Sequence, residues 1–228
     1  ILLQTIDAWL FSTTYRIGWD STNMGAYFIS GAFVAGLGAL ITVVCIVRKV
    51  RKLEKYITLY HFDKLGQFLV LACLTYLYFN INEYLIPIFT ATVEEETHLN
   101  ELVFGEYSFL FWFSQLVGLI LPIFILIFKA GRKPGPMFIA GFMVVIGSWW
   151  KRYIIVTPTL LHPFLPIEGV PESWHTYFPS IHEWLITGAT LAMALLIITL
   201  LIRYLPAVPI QRTAEEMELY RTEKELEP

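Results

Sequence analysis

The stretch YFNINEYLIP, residues 78–87, places a carboxylate, Glu83, and two carboxamides, Asn80 and Asn82, inside a long apolar run. A second apolar run holds Lys151 and Arg152 side by side. A charged side chain at the centre of a membrane helix costs roughly 2.5–3.5 kcal/mol on insertion scales, so such residues point to a proton relay or to an ion pair between helices. Tyr76, Asn80, Glu83 and Pro87 fall at i, i+4, i+7 and i+11, which is one face of one helix. A phenol, a carboxamide and a carboxylate on one stripe form a hydrogen-bonded string able to hand on a proton. Glu83 lies 17 residues beyond Gly66 and Arg152 lies 16 beyond Pro136, counted from the starts of their apolar runs. At about 1.5 Å per residue the two side chains share one level in the outer half of a bilayer. The expectation is a Glu83–Arg152 pair, with Lys151 about 100° further round its helix and snorkelling outward. Whether Glu83 moves protons or only holds Arg152 stays open at this point.

At the other end of the Glu83 run stand His61 and Asp63. Asp63 suits a helix N-cap, where it also meets the positive end of the dipole. Its alternative role is to collect protons from the cytoplasm. On an ideal helix Asp63 and Glu83 point to opposite faces, so a path joining them needs groups from a neighbouring helix or water. The five histidines, His61, His98, His162, His175 and His182, fall in loops or at span ends. That placement argues against a bis-histidine haem. The sequence shows no metal-ligand spacing, no Gly-rich phosphate loop and no nucleophile elbow. Cys45 and Cys73 both lie in apolar runs, against a structural disulfide or a zinc site. No catalytic residue, metal or resident cofactor is therefore assigned to this chain.

These residues need apolar elements to carry them. The chain is 56% hydrophobic and 15% charged, with a net charge of −3, which gives no basic footprint for nucleic acid. A bilayer-spanning helix needs roughly 20 apolar residues. Runs of that length occur at about 26–47, 66–91, 107–128, 136–157 and 183–205. Continuous apolar runs argue for helices over a barrel. The fold class expected is an all-α integral membrane bundle of about five transmembrane helices. Residues 1–25 read as an outer-face lead-in that ends a preceding span, and the chain, starting at Ile1, reads as beginning partway through a longer protein. Residues 206–228 read as a charged tail. The segment 48–64 carries six Lys or Arg and 129–135 carries three, whereas 93–106 and 158–182 carry none. That split places the basic loops and the C-terminus in the cytoplasm. The remaining features read as packing or anchoring. Gly31/Ala35 and Ala32/Gly36 make small-xxx-small pairs, Pro87 and Pro122 bend their helices, and Trp112, Trp174, Tyr177 and Trp184 form an interfacial belt. The proline-rich stretch 158–180, with His162, Glu168, Glu172 and His175, reads as an ordered outer loop.

The pieces GWDST, AYFISGAFVAG, LEKYITLYHFDKLGQ, WWKRYIIVTPTL and YFPSIHEW, in this order from about residue 9 to 185, resemble the NrfD-like family. Its members are the membrane subunits of polysulfide-reductase-type complexes and of alternative complex III. The resemblance implies the second four-helix bundle of that fold plus a terminal span, in the cytoplasmic membrane of a prokaryote. It implies electron exchange between a quinone pool, menaquinone by expectation, and an iron–sulfur subunit on the outer face, beside other membrane subunits. Quinone ligands are expected mainly in the first bundle and are not placed here. His61, Asp63, Glu83 and Arg152 fall on positions proposed to conduct protons in some members, with Asn80 and Tyr76 beside them. HFDK replaces the more usual His-Leu-Asp-Asn, and the outer loop after Pro158 is longer. Two other readings compete: half of an ion or solute transporter, and a purely structural assembly subunit.

Overall fold

The computed structural model describes residues 1–14, 16, 18–19, 21–90, 93–161, 171 and 177–205. The expected charged tail at 206–228 lies outside the described residues, as do His162, Glu168, Glu172, Trp174 and His175 of the outer loop. Every regular element among the described residues is helical. The elements are α1 (Leu2–Ser12), α2 (Met24–Val50), α3 (Leu59–Thr90), α4 (Val93–Val103), α5 (Ser108–Gln115), a π-helical turn (Leu116–Ile120), α6 (Leu121–Ile127), a short 3-10 turn (Lys129–Arg132), α7 (Pro134–Leu161) and α8 (Ile181–Tyr204). Among the described residues five helical stretches are long and apolar enough to cross a membrane: Met24–Val50, Leu59–Phe89, Ser108–Ile127, Pro134–Leu161 and Ile181–Tyr204. The protein is an all-α, multi-pass membrane protein.

The chain forms two compact units, Ile1–His175 and Thr176–Pro228. In the first, α2 packs along both α3 and α7, and α1 lies against α2. Val34 and Ile41 of α2, Phe62, Leu69 and Cys73 of α3, and Met137, Ala140 and Val144 of α7 fill the interior. In the second unit, α8 starts with a capping box: Glu183 N–H donates to Ser180 Oγ, and the Glu183 carboxylate accepts from Ser180 N–H. None of its described residues is buried within the unit.

Close helix contact comes from different glycines than the sequence pattern names. A Cβ on Gly31 would come to 3.0 Å of the Tyr76 ring, so Gly31 makes room for an aromatic side chain; Gly36 has nothing within 4 Å. Backbone approach occurs instead at Gly38 with Gly141, where a Cβ on Gly141 would meet Gly38 O at 2.9 Å. It is closer still at Gly118 with Gly147, where a Cβ on Gly147 would lie 2.1 Å from Gly118 Cα. Gly118 sits in the π-helical turn. Pro122 follows, with no N–H for Gly118 and a ring that crowds the preceding turn; the widened π turn accommodates both, as such insertions do. It also brings Ser114, Gln115, Gly118 and Leu119 all to the buried side.

Candidate functional site

Glu83 is half-buried on α3. Ser21 Oγ donates to its Oε2 at 3.1 Å. Ser21 belongs to the link between α1 and α2, which docks on this bundle by long-range bonds. Asn23 Nδ2 donates to Phe79 O at 2.8 Å, and Trp19 Nε1 donates to Ile155 O at 2.8 Å. Each of the two helices also contains a proline that weakens its ladder. Pro87 has no N–H for the Glu83 carbonyl, and Pro158 has none for Ile154. Gly18, at φ +81°, completes the link; a Cβ there would meet His98 Nε2 at 3.4 Å. Glu83 and His98 line a cavity of about 250 Å3, together with Ser21, Met24, Tyr27, Tyr84, Glu95, Leu99, Leu102 and Ile154. Its wall is largely apolar, and its polar atoms converge from α3, α4 and the α1–α2 link.

The cation at this level is not the one expected. Lys151 is buried and Arg152 is exposed. The reason is helical phase. Ala140, Val144, Gly147, Lys151 and Ile154 form the buried stripe of α7, at i, i+4, i+7, i+11 and i+14. Arg152, one step round, leaves that stripe and lies over the Phe28 ring, 4.5 Å from its centroid. The expected Glu83–Arg152 pair is thus not the arrangement found, and Lys151 does not snorkel outward. Lys151 Nζ donates to Tyr84 Oη. It lies 4.5 Å from the Tyr84 centroid, 5.5 Å from that of Phe111 and 5.9 Å from that of Tyr27. Such cation–π contacts are worth roughly 0.5–2 kcal/mol each when desolvated. Among the described residues no carboxylate lies within ion-pair distance of this ammonium.

Tyr76 and Asn80 precede Glu83 on α3. The Tyr76 ring stacks on Tyr27, centroids 5.3 Å apart, and Tyr76 Oη donates to Tyr27 Oη at 3.2 Å. A second cavity, of about 20 Å3, lies between Tyr27, Tyr76, Ser148, Lys151 and Arg152; that is room for one water. Asn80 is buried and exchanges hydrogen bonds with Gln115, at 2.6 Å to Oε1 and 3.4 Å from Nε2.

The start of α3 is a separate construction. Arg132 donates from Nη1 to Asp63 Oδ1 at 2.9 Å, from Nε to Leu126 O at 2.7 Å and from Nη2 to Ile127 O at 3.0 Å. Gln67 Nε2 donates to Asp63 Oδ2 at 2.8 Å. Asp63 lies within α3, engaged with Arg132 and Gln67, and its helix begins at Leu59. His61 is exposed; its Nδ1 accepts from Thr58 N–H at 3.2 Å. Asp63 and Glu83 are 20 residues apart, about 30 Å along the helix. Glu83, Tyr76 and Asn80 therefore gather near Lys151, whereas His61 and Asp63 stand apart.

Sequence reasoning did not single out Tyr84, Tyr27, Ser21 or Gln115, and it turned Lys151 the wrong way. The signal that Lys151 faces inward is the stripe that runs through Gly147 and Ile154. Ser21, Tyr27 and Gln115 reach their partners across long sequence separations and leave no local pattern.

Membrane-spanning helices packed around a buried lysine, a carboxylate and stacked tyrosines define a helical membrane protein with an ionisable interior. Residues 1–163 match the family described as polysulphide reductase, NrfD, and the chain belongs to that family. It is 26% identical over 160 residues to a subunit of the selenate reductase of Mesobacillus selenatarsenatis, across 67% of this chain and 37% of that protein. It is 30% identical over 120 residues to the integral membrane subunit of menaquinone reductase from Nitratidesulfovibrio vulgaris, across 52% of this chain and 26% of that protein. The matched region thus spans well under half the length of either relative.

Proposed function

We propose that this chain is part of the membrane subunit of a quinone-linked oxidoreductase complex in a prokaryotic inner membrane. The observation that carries the reading is membership of the NrfD family, with a menaquinone reductase membrane subunit among the relatives. The described residues offer no group of three metal-ligating side chains, and Cys45 and Cys73 sit on separate helices. That donor set does not fit an iron–sulfur cluster; in this reading the clusters are held by a partner subunit on the outer face. The nine basic residues of 48–64 and 129–135 support a cytoplasmic side for those loops and the C-terminus. The domain reading is a lead-in at 1–25, a bundle over 26–205 and a tail at 206–228.

Quinol oxidation releases protons with its electrons, and an ionisable interior gives those protons a place to go. Glu83, Tyr76 and Asn80 form the outer part of the proposed proton path, and Arg152 borders its small cavity. His61 and Asp63 mark its inner mouth. Phe62, Leu69 and Cys73 fill the interior between the two ends, so another subunit or water has to bridge them. Quinone is the substrate of the complex; its ligands are not assigned to this bundle. The test is Glu83→Gln in the assembled complex, reconstituted in vesicles, with quinol turnover and proton movement measured together. Assembly with turnover or proton movement cut at least tenfold is the expected result. Unchanged turnover and stoichiometry overturn the role of Glu83. Purification of the intact complex without an iron–sulfur subunit or quinone-dependent activity overturns the wider reading.

A further inference from the structure

We infer that Lys151 is the proton-carrying group of this bundle, loaded from the outer cavity through the Tyr84 hydroxyl and unloaded into the small cavity beside Tyr76. The inference deepens the proton-coupled reading above and rests on it.

Lys151 stands between two spaces. Tyr84, which accepts the hydrogen bond of its ammonium, lines the outer cavity with Glu83 and His98. On the other side Lys151 itself lines the 20 Å3 cavity shared with Tyr27 and Tyr76. Tyr27 borders both. No other amine or carboxylate among the described residues lines the small cavity; its remaining cation is the Arg152 guanidinium, which does not give up its proton.

The chemistry of the surroundings fits a group that changes state. A lysine locked to a carboxylate keeps its charge. Here the hydrogen-bond partner is a phenol oxygen, and the rest of the box is aromatic. Ring faces stabilise the ammonium, and the same apolar faces accommodate a neutral amine. A hydroxyl accepts from the ammonium and donates to the amine by rotating its hydrogen. The groups facing Lys151 are Tyr27 from α2, and Tyr76, Glu83 and Tyr84 from α3. Beyond Tyr84 the outer cavity also holds Glu95 and His98 from α4, and Arg152 follows Lys151 on α7; α5 contributes the uncharged Phe111.

The loading step moves a proton and no electrons. The Glu83 carboxylic O–H breaks as a Tyr84 O–H forms, directly or across a cavity water. The original Tyr84 O–H breaks as the third N–H of Lys151 forms. Glu83 is left a carboxylate and Lys151 an ammonium. Unloading breaks one N–H of Lys151 as an O–H forms on a water in the small cavity, and another O–H of that water breaks as the proton passes to water beyond the exposed Arg152; the amine and a neutral cavity water are restored.

The test uses the assembled complex in vesicles, driven by a soluble naphthoquinol, with electrons and protons counted together. Lys151→Arg keeps the charge and removes the exchangeable proton; protons moved per electron should fall at least tenfold while assembly holds. Lys151→His restores an exchangeable group, and the pH profile of coupled turnover should move toward acid by more than about one unit, since imidazole titrates roughly four units below an amine. Tyr84→Phe, which keeps the ring and removes the hydroxyl, should slow proton transfer about tenfold. Wild-type coupling in Lys151→Arg overturns the inference. So does a wild-type pH profile in Lys151→His, which decides the matter alone if the arginine variant fails to assemble. A wild-type complex that oxidises quinol without moving protons overturns the underlying reading, and this inference with it.

Discussion

Gly147→Ala is the sharpest test of how the bundle is held. The new Cβ would lie 2.1 Å from Gly118 Cα. Carbon atoms sit at about 3.5–4.0 Å when they pack without repulsion, so α7 and the π-helical turn must part by roughly 1.5 Å. No rotamer change relieves this, because the obstacle is main chain. Overpacking costs about 1–3 kcal/mol where side chains can adjust; here the upper end, about 3 kcal/mol, applies. For a chain of this size that is a fall in Tm of about 6–12 °C. Gly36→Ala is the control, since nothing lies within 4 Å of its Cβ; it should change stability by less than about 0.5 kcal/mol. The assay is thermal unfolding of the detergent-purified protein, read by a thiol-reactive dye, with buried Cys73 as the reporter. Gly147→Ala within about 2 °C of wild type, or a larger loss in Gly36→Ala, would refute the steric argument.

Three further outcomes follow from the hydrogen bonds. Asn80→Leu leaves the buried Gln115 carboxamide without its reciprocal partner and should cost about 1–3 kcal/mol; adding Gln115→Leu should recover most of that, which a double-mutant cycle by thermal unfolding checks. Arg132→Lys should lose about 2 kcal/mol, because an ammonium cannot serve Asp63, Leu126 O and Ile127 O at once; a denaturant midpoint equal to wild type contradicts this. Trp19→Phe keeps the edge-on contact with Phe11 and removes the bond to Ile155 O, for an expected loss of about 1 kcal/mol by the same unfolding assay.

The spans were legible because lipid imposes a long apolar run on any helix that crosses it. The interruption of the third span was not: Gly118 and Pro122 were visible, but that a π turn reconciles them depends on Gly147 of another helix. The level of Glu83 and of the Lys151–Arg152 pair was readable from residue counts. The choice between the two cations was not a matter of depth. It was set by the face of α7, and the stripe from Ala140 to Ile154 carried that information. The link at Gly18–Asn23 left least trace. Ser21 meets Glu83 across 62 residues and Trp19 meets Ile155 across 136, and no local periodicity encodes such pairs.

The two polar clusters of the bundle differ in what their chemistry permits. At the start of α3 the Arg132 guanidinium is engaged by a carboxylate and two carbonyls. Changing the charge of any member leaves a strong donor or acceptor without its counterpart, so the cluster acts as a fastener between α3 and the α6–α7 turn. Around Glu83 and Lys151 the partners are hydroxyls: Ser21 on Glu83 and Tyr84 on Lys151. A hydroxyl both donates and accepts. It serves a carboxylate or a carboxylic acid, an ammonium or an amine, with no movement beyond rotation of one hydrogen. A carboxylate–arginine pair at the same level would have fixed both charges. Turning Arg152 out over Phe28 and Lys151 in among the tyrosines leaves hydroxyl partners at this level that tolerate either protonation state, whereas the Arg132–Asp63 cluster tolerates one.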